Sequence, residues 1–350
     1  LHSCAVYDTI HLDSLIQHPK KKTPSYNSYF NEKGMDPFGW TLTPVATTSA
    51  TLLAYRAYSK KSLTPAASVT AFIVAFLLVG SGLRGFNLLV FYGVAMKATR
   101  HKKDIKAKID GTISSNKGST TRGTNQVLAC SLLAVILSLV HVMMCGKEQP
   151  IQFVLRQEEE EEDDRSITRM ILASKLSCAI LAHHATCLAD TLASELGILN
   201  DSIGLGRPPV LITQPWKHVP SGTNGGITFM GCVWSALGGT IIGVSTIVFD
   251  MLSGLHMSMN TYLAIIVYAT LSGLVGSLLD SLLGATLQES YYDPDTKMVY
   301  QTEDEKPKTA KLICGSNILT NEMVNVVSVA LTTFLGGWVL GGFVFNAFDS

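Results

Sequence analysis

Eight apolar stretches punctuate the chain, at about 42–58, 65–82, 86–97, 126–145, 169–190, 227–250, 261–286 and 324–347. Apolar residues gathered in blocks of this length predict helices that cross a membrane. Only Leu83-Arg84-Gly85 separates the second block from the third. They are therefore two helices with Arg84 snorkelling at the turn, or one long bent helix. Two helices are favoured. The expectation is an all-α, polytopic helical membrane protein with seven or eight transmembrane helices. Residues 1–40 are polar and read as an N-terminal tail, and 41–347 as a single integral-membrane domain.

The polar links differ in character. Residues 98–125 are basic, with Arg100, Lys102, Lys103, Lys106, Lys108, Lys117 and Arg122 among them. This is the charge bias of a cytosolic loop; docking of anionic headgroups or nucleotide phosphate is the second reading. An acidic insertion at 157–165 reads as solvated, with no chemistry of its own. Residues 288–311 read as a polar, mobile loop.

The last four blocks resemble one another in pairs, about 169–250 and 261–347. Asp190-Thr191-Leu192 ends one helix and Asp280-Ser281-Leu282 lies near the end of another. Thr223-Asn224 precedes the run LGGTIIG by 14 residues, and Thr320-Asn321 precedes LGGWVLG by 15. Glycines four apart let helix backbones approach closely in lipid, so Gly239/Gly243 and Gly337/Gly341 are expected packing seams. Two spans per half give the halves one direction. Both aspartates and the basic loop then face one side, and the acidic run the other. The positive-inside rule makes the aspartate side cytosolic or its equivalent, although Lys20 to Lys22 fit less well.

Composition agrees with a membrane protein. Of 350 residues 47% are hydrophobic and 15% charged, and mean hydropathy is +0.28. A soluble domain carries about 25% charged residues. Formal net charge is zero and excludes no class of partner. The seven cysteines make no CxxC or Cys/His ligand pattern and read as small core residues. The chain opens on Leu1 without a secretory signal pattern, which suggests a processed or partial chain.

Candidate chemistry gathers where apolar helices end. Ionisable groups at the edge of a span are costly and mark function by default. His183, Thr186, Asp190 and Ser194 share one helical face; His184, Thr191 and Glu195 share the next. Gly273, Ser277, Asp280, Gly284 and Gln288 line a face of a later helix. Asp190, Glu195 and Asp280 are the candidate catalytic and metal-binding residues. Mg²⁺ takes oxygen ligands and keeps waters and substrate phosphate; helix capping or pairing with Lys or Arg is the plain alternative. The two histidines lack a third at metal spacing, so packing or hydrogen bonding is expected of them. The intervening loop supplies Arg207, Lys217, Ser221, Gly222, Thr223, Asn224, Gly225 and Gly226 as candidate phosphate binders, with Asn321 beyond. The glycine turn is no Walker A, since G-x-x-x-x-G-K-[ST] is absent. A glycine turn capping the next helix is its plain reading; cations beside it and carboxylates nearby favour phosphate. Glu322 is a further acidic group or a helix-start charge.

DTLASELG (190–197), RPPVLIT (207–213), VPSGTNGGIT (219–228), GSLLDSLLGATLQ (276–288) and NILTNEMVN (317–325) closely resemble the transmembrane protein 19 family. KKSL (60–63) fits as well, and the likeness covers about 40–345. Ala189 stands where that family usually has Gly before the first Asp. The family includes the plant phytyl-phosphate kinase of tocopherol synthesis. The resemblance therefore implies a kinase that uses a nucleoside triphosphate, CTP or another, to convert a prenyl monophosphate to the diphosphate. It implies a bilayer and an isoprenyl phosphate as partners and no nucleic acid. The membrane would be endoplasmic reticulum, other endomembrane or plastid envelope. A transporter, a non-catalytic membrane protein and a cytidylyltransferase-like lipid enzyme are the alternatives.

Overall fold

Asp190 and Asp280 lie near the ends of the two longest helices, and the fold is a device for bringing those ends together. The computed structural model describes residues 34–106, 109, 121–153, 164–199, 208–301 and 306–349. Most of the expected N-terminal tail and nearly all of the acidic insertion therefore lie outside the described residues. So does much of the basic loop.

Helices follow the apolar blocks closely. They are α1 (Leu42–Ser59), α2 (Pro65–Ser81), α3 (Asn87–Arg100), α4 (Thr124–Ala129), α5 (Leu132–Cys145) and α6 (Asp164–Gly197), then α7 (Phe229–Leu252), α8 (Met259–Leu287), α9 (Asn321–Leu335) and α10 (Gly341–Asp349). Among the described residues four stretches are long and apolar enough to cross a membrane: α6, α7, α8 and the continuous run Asn321–Phe348. α2 and α5 are apolar but shorter. The chain is thus mainly helical with four candidate spans.

Local chemistry sets where these helices start. Pro65 opens α2, and Thr64 Oγ1 accepts from the Ala67 amide. Thr228, Ser258 and Thr320 cap α7, α8 and α9 in the same way. One wide helical turn, Gly336–Leu340, joins α9 to α10. It falls where Gly336 meets Ala182 and the Tyr268 hydroxyl, so the wider turn lets the run settle against α6 and α8.

α6 is the hub. Most of its apolar window is buried, whereas most of α7's is not. It packs against α7, α8, α5, α9 and α3. Small residues allow this. A Cβ on Gly238 would strike the Ala189 backbone, and one on Gly239 the Ala269 carbonyl. Gly243, Gly337 and Gly341 also sit in tight contacts, as their spacing predicts. Ala189 itself is fully buried, with Gly238 and Gly273 making room for its methyl group. His183 and His184 are buried: His183 Nε2 lies 3.0 Å from the Cys130 carbonyl and His184 Nδ1 2.9 Å from that of Ile180. They have the packing role expected.

Two small sheets interrupt the helical pattern. The first comprises β1 (Val210–Leu211), β2 (Gln214–His218) and β3 (Gly226–Ile227) in the order β2-β1-β3. The second comprises β4 (Ser290–Asp293), β5 (Met298–Tyr300) and β6 (Lys311–Cys314) in the order β5-β4-β6. Both are antiparallel, with the first strand central. The second sheet replaces the mobile loop expected at 288–311. Tyr291, Val299 and Tyr300 are buried there. Asp293 accepts from Thr296 and Thr309 hydroxyls at 2.7 Å, fixing the turn.

Arg84 does not snorkel. It is buried in the 3-10 turn between α2 and α3, where Nε donates to Asp250 Oδ1 at 2.6 Å. Its other nitrogens donate to Ser177 and the Gln149 carbonyl. Glu148, in the loop after α5, accepts from the Leu83 and Arg84 amides. Removing one partner of a buried pair strands a charge at about 3–5 kcal/mol. Arg84→Met should therefore lower thermal stability in detergent by that amount, and Arg84→Met with Asp250→Leu should recover much of it. Burial pushes the Glu148 carboxyl up from 4.5 to about 7, against the attraction of Arg84. Ionising it is harder in the folded chain, so its stabilising contribution is lost as pH rises from about 4.5 to 7. Melting curves across that range should show the slope, and Glu148→Gln should flatten it.

Candidate functional site

A cavity of about 510 Å³ opens where α6 and α8 end. Its lining includes Asp190, Glu195, Asp280, Ser221 through Gly226, and Asn321. Those are all the residues picked from the sequence except Arg207 and Lys217. Arg207 lies outside the described residues. Lys217 is on β2, where Nζ donates to the Ile313 carbonyl at 3.0 Å and ties the two sheets together.

The two aspartates face each other closely enough to interact electrostatically. The Ser277 side chain of α8 lies beside Asp190, and both line the cavity. Asp280 Oδ1 accepts from Ser328 Oγ of α9 at 2.8 Å. A serine on a neighbouring helix thus aims the Asp280 carboxylate. Neither makes a salt bridge among the described residues. Glu195 differs: Lys106 Nζ lies 2.6 Å from its Oε2. That ammonium also donates to the Ala98 and Thr99 carbonyls, so its three hydrogens are engaged. Lys106 was visible as one of many basic-loop residues; its pairing with Glu195 depends on tertiary folding alone.

No group of three or more His, Cys, Asp or Glu poised around one point occurs among the described residues. The donor set nevertheless suits Mg²⁺, which commonly takes one or two carboxylates and fills its other positions with water and phosphate. Two facing carboxylates without a cation favour the arrival of one.

The glycine turn forms the opposite wall. Gly222 and Gly225 have φ of +91° and +74°. The amides of Thr223, Asn224 and Gly226 are bonded to the Pro220 carbonyl, Ser290 Oγ and the Thr223 carbonyl. Among the described residues the amides of Gly222 and Gly225 have no partner. The first turns of α7 and α9 also line the cavity, through Thr228, Gly231, Asn321 and Asn325. Unsatisfied amides at helix starts attract anions. Thr223-Asn224 and Thr320-Asn321 hold different places: Thr320 caps its helix, and its counterpart in that role is Thr228. Glu322 is exposed at the start of α9 and does not line the cavity. Gln126, Gln288, Gln301 and Ser281 are further polar lining residues. Gln288 already belonged to the small polar face read from the sequence; Gln126 and Gln301 carry no local signal.

A family model described as integral membrane protein DUF92 matches residues 48–333. Protein PGR of Arabidopsis thaliana is 33% identical over 290 residues, 82% of this chain and 92% of that one. An uncharacterized membrane protein of Methanocaldococcus jannaschii is 35% identical over 104 residues, 30% of this chain and 37% of that one. No solved structure matches.

A Cβ on Gly225 would collide with Ala285 and the Ser281 carbonyl of α8, in a backbone region that already favours glycine. Gly225→Ala should destabilise the fold by about 2–4 kcal/mol, measured as a lower melting temperature in detergent.

Proposed function

The chain belongs to the integral membrane protein family DUF92, and on that premise we propose that it is a prenyl-phosphate kinase. It would transfer a phosphoryl group from CTP or another nucleoside triphosphate to a phytyl- or geranylgeranyl-type monophosphate. One observation carries the reading: in one cavity two carboxylates and a glycine turn come together, with no cation paired to the carboxylates and no partner on two of the turn's amides among the described residues. Phosphoryl transfer asks the protein mainly for positioning and charge neutralisation, and these are the parts for it.

An oxygen of the prenyl phosphate attacks the terminal phosphorus of the nucleotide. A new P–O bond forms, the bond to the bridging oxygen breaks, and nucleoside diphosphate leaves. The attacking oxygen is already anionic, so no general base is required. The amides of Gly222 and Gly225 and the first turns of α7 and α9 orient the phosphates. Asn321, Asn325 and Gln288 supply side-chain donors. Asp190 and Asp280 would hold Mg²⁺, which supplies positive charge to the phosphate oxygens; Glu195 joins them only if Lys106 gives way. Arg207 keeps its assignment as a phosphate cation. Lys217 positions the sheets. Leu274 and Leu278 continue the cavity lining, and this apolar wall, partly exposed at Leu278, would take the start of a prenyl tail.

The same reading extends to the membrane. All eight apolar stretches would lie in the bilayer, and 169–250 and 261–347 would be a repeat. Each half runs from a long helix with Asp near its end, through a sheet with its first strand central, to a Thr-capped helix. Lys60, Lys61, Arg100 and Lys106 share the aspartate side, which the positive-inside rule makes cytosolic or stromal. The membrane would be endoplasmic reticulum, other endomembrane or plastid envelope.

Purified protein in detergent, given Mg²⁺, CTP or ATP and geranylgeranyl or phytyl phosphate, should make the diphosphate. Asp190→Asn and Asp280→Asn should each lower kcat about 100-fold or more with the melting temperature kept. Equal turnover by wild type and Asp190→Asn rejects the site. Release of pyrophosphate points instead to nucleotidyl transfer, and flux of labelled prenyl phosphate into liposomes without nucleotide points to a transporter.

A further inference from the structure

A second cavity, of about 490 Å³, lies between α1 and α3 and shares no lining residue with the first. Its walls include Leu52, Phe86, Leu89 and Met96. Four cations stand at one end: Arg56 and Lys60 where α1 finishes, and Lys97 and Arg100 where α3 finishes. All four are exposed, and none makes a salt bridge among the described residues. Nothing lies within 4 Å of a Cβ built on Gly93, so the floor between the walls is open.

We propose that this groove holds an anionic phospholipid, with its phosphate between the four cations and one acyl chain along α3. Charge complementarity names the head: four positive groups with no anion paired to them among the described residues call for one from outside. Hydrocarbon names the tail: from Phe86 to Arg100 the groove runs about 20 Å, at 1.5 Å per residue, close to one leaflet of the bilayer core. Val45, Leu52 and Tyr55 of α1 are exposed alongside, as on a lipid-facing surface. Cations at span ends often only snorkel to the interface. Here they rim a shared apolar cavity, which snorkelling does not require.

The test uses the full chain in a neutral detergent, titrated with dioleoylphosphatidylglycerol and followed by native mass spectrometry and thermal melting. One lipid should stay bound and raise the melting temperature; dioleoylphosphatidylcholine should do neither. Arg56→Ala with Lys97→Ala should weaken binding about 30-fold. Gly93→Phe should block the acyl chain and weaken binding with all four cations in place. Lys308→Ala with Lys311→Ala, exposed at the second sheet and outside the groove lining, should change nothing. Melting without added lipid reports whether each variant folds. The proposal is overturned if inorganic phosphate stabilises as well as the lipid does, if Gly93→Phe binds normally, or if the control pair loses as much as the groove pair.

Discussion

Two carboxylates can share one cavity only if the helices carrying them come very close, and in lipid that closeness is supplied by residues with almost no side chain. Ala189, one residue before Asp190, is pressed by Gly238 on α7 and Gly273 on α8. Gly276, one turn before Asp280, rests on Thr186 of α6. The seam between the three helices is therefore built at the same level as the aspartates. A larger residue anywhere along it would push α6 and α8 apart and dissolve the pairing. Ala189 carries a methyl group into the seam, and the neighbours that make room for it are glycines.

The two ends of the bundle treat charge in opposite ways. At one end Arg84 is held by Asp250, Ser177 and a backbone carbonyl, so the buried ion is satisfied within the protein. Such a pair is poor evidence of function and good evidence of register, because it locks the α2–α3 turn to the end of α7. At the other end Asp280 meets a serine hydroxyl, Asp190 lies within its electrostatic reach, and neither pairs with a cation among the described residues. The proposed function rests on this contrast: charge neutralised within the protein at one end, and carboxylates without a paired cation among the described residues at the other.

Much of this was legible from the residues. Apolar blocks mark the helices to within a few residues at most ends, though α6 runs five to seven residues past its block at each end; LGG spacing marks the seams, and Asp190, Asp280 and the glycine turn stand out where apolar spans end. The misses share a cause. Lys106 meets Glu195 across 89 positions of chain, and no local pattern encodes such a pair. Arg84 was placed at a surface because a span-end arginine usually snorkels; Asp250 sits in a helix where nothing marks it as a partner. Strands of two to five residues are too short for alternation to rise above a polar loop. Lys217 looked like a phosphate cation by adjacency to the glycine turn, yet strand geometry turned it to the neighbouring sheet.

The charge inventory of the cavity sets what its occupant must bring. Lys106 is bonded to Glu195 and two carbonyls, and Lys217 has turned away. Among the described residues the lining therefore holds no uncommitted cation. Two amides and two helix starts offer partial positive charge, enough to orient an anion and too little to cancel several phosphate charges beside two carboxylates. A bare phosphate entering alone would meet net repulsion from Asp190 and Asp280. A phosphate that arrives with a divalent cation would meet attraction from both walls at once. On the proposed reading this asymmetry would favour a metal–nucleotide over a free anion, and it would follow from the same two aspartates that the glycine seam brings together.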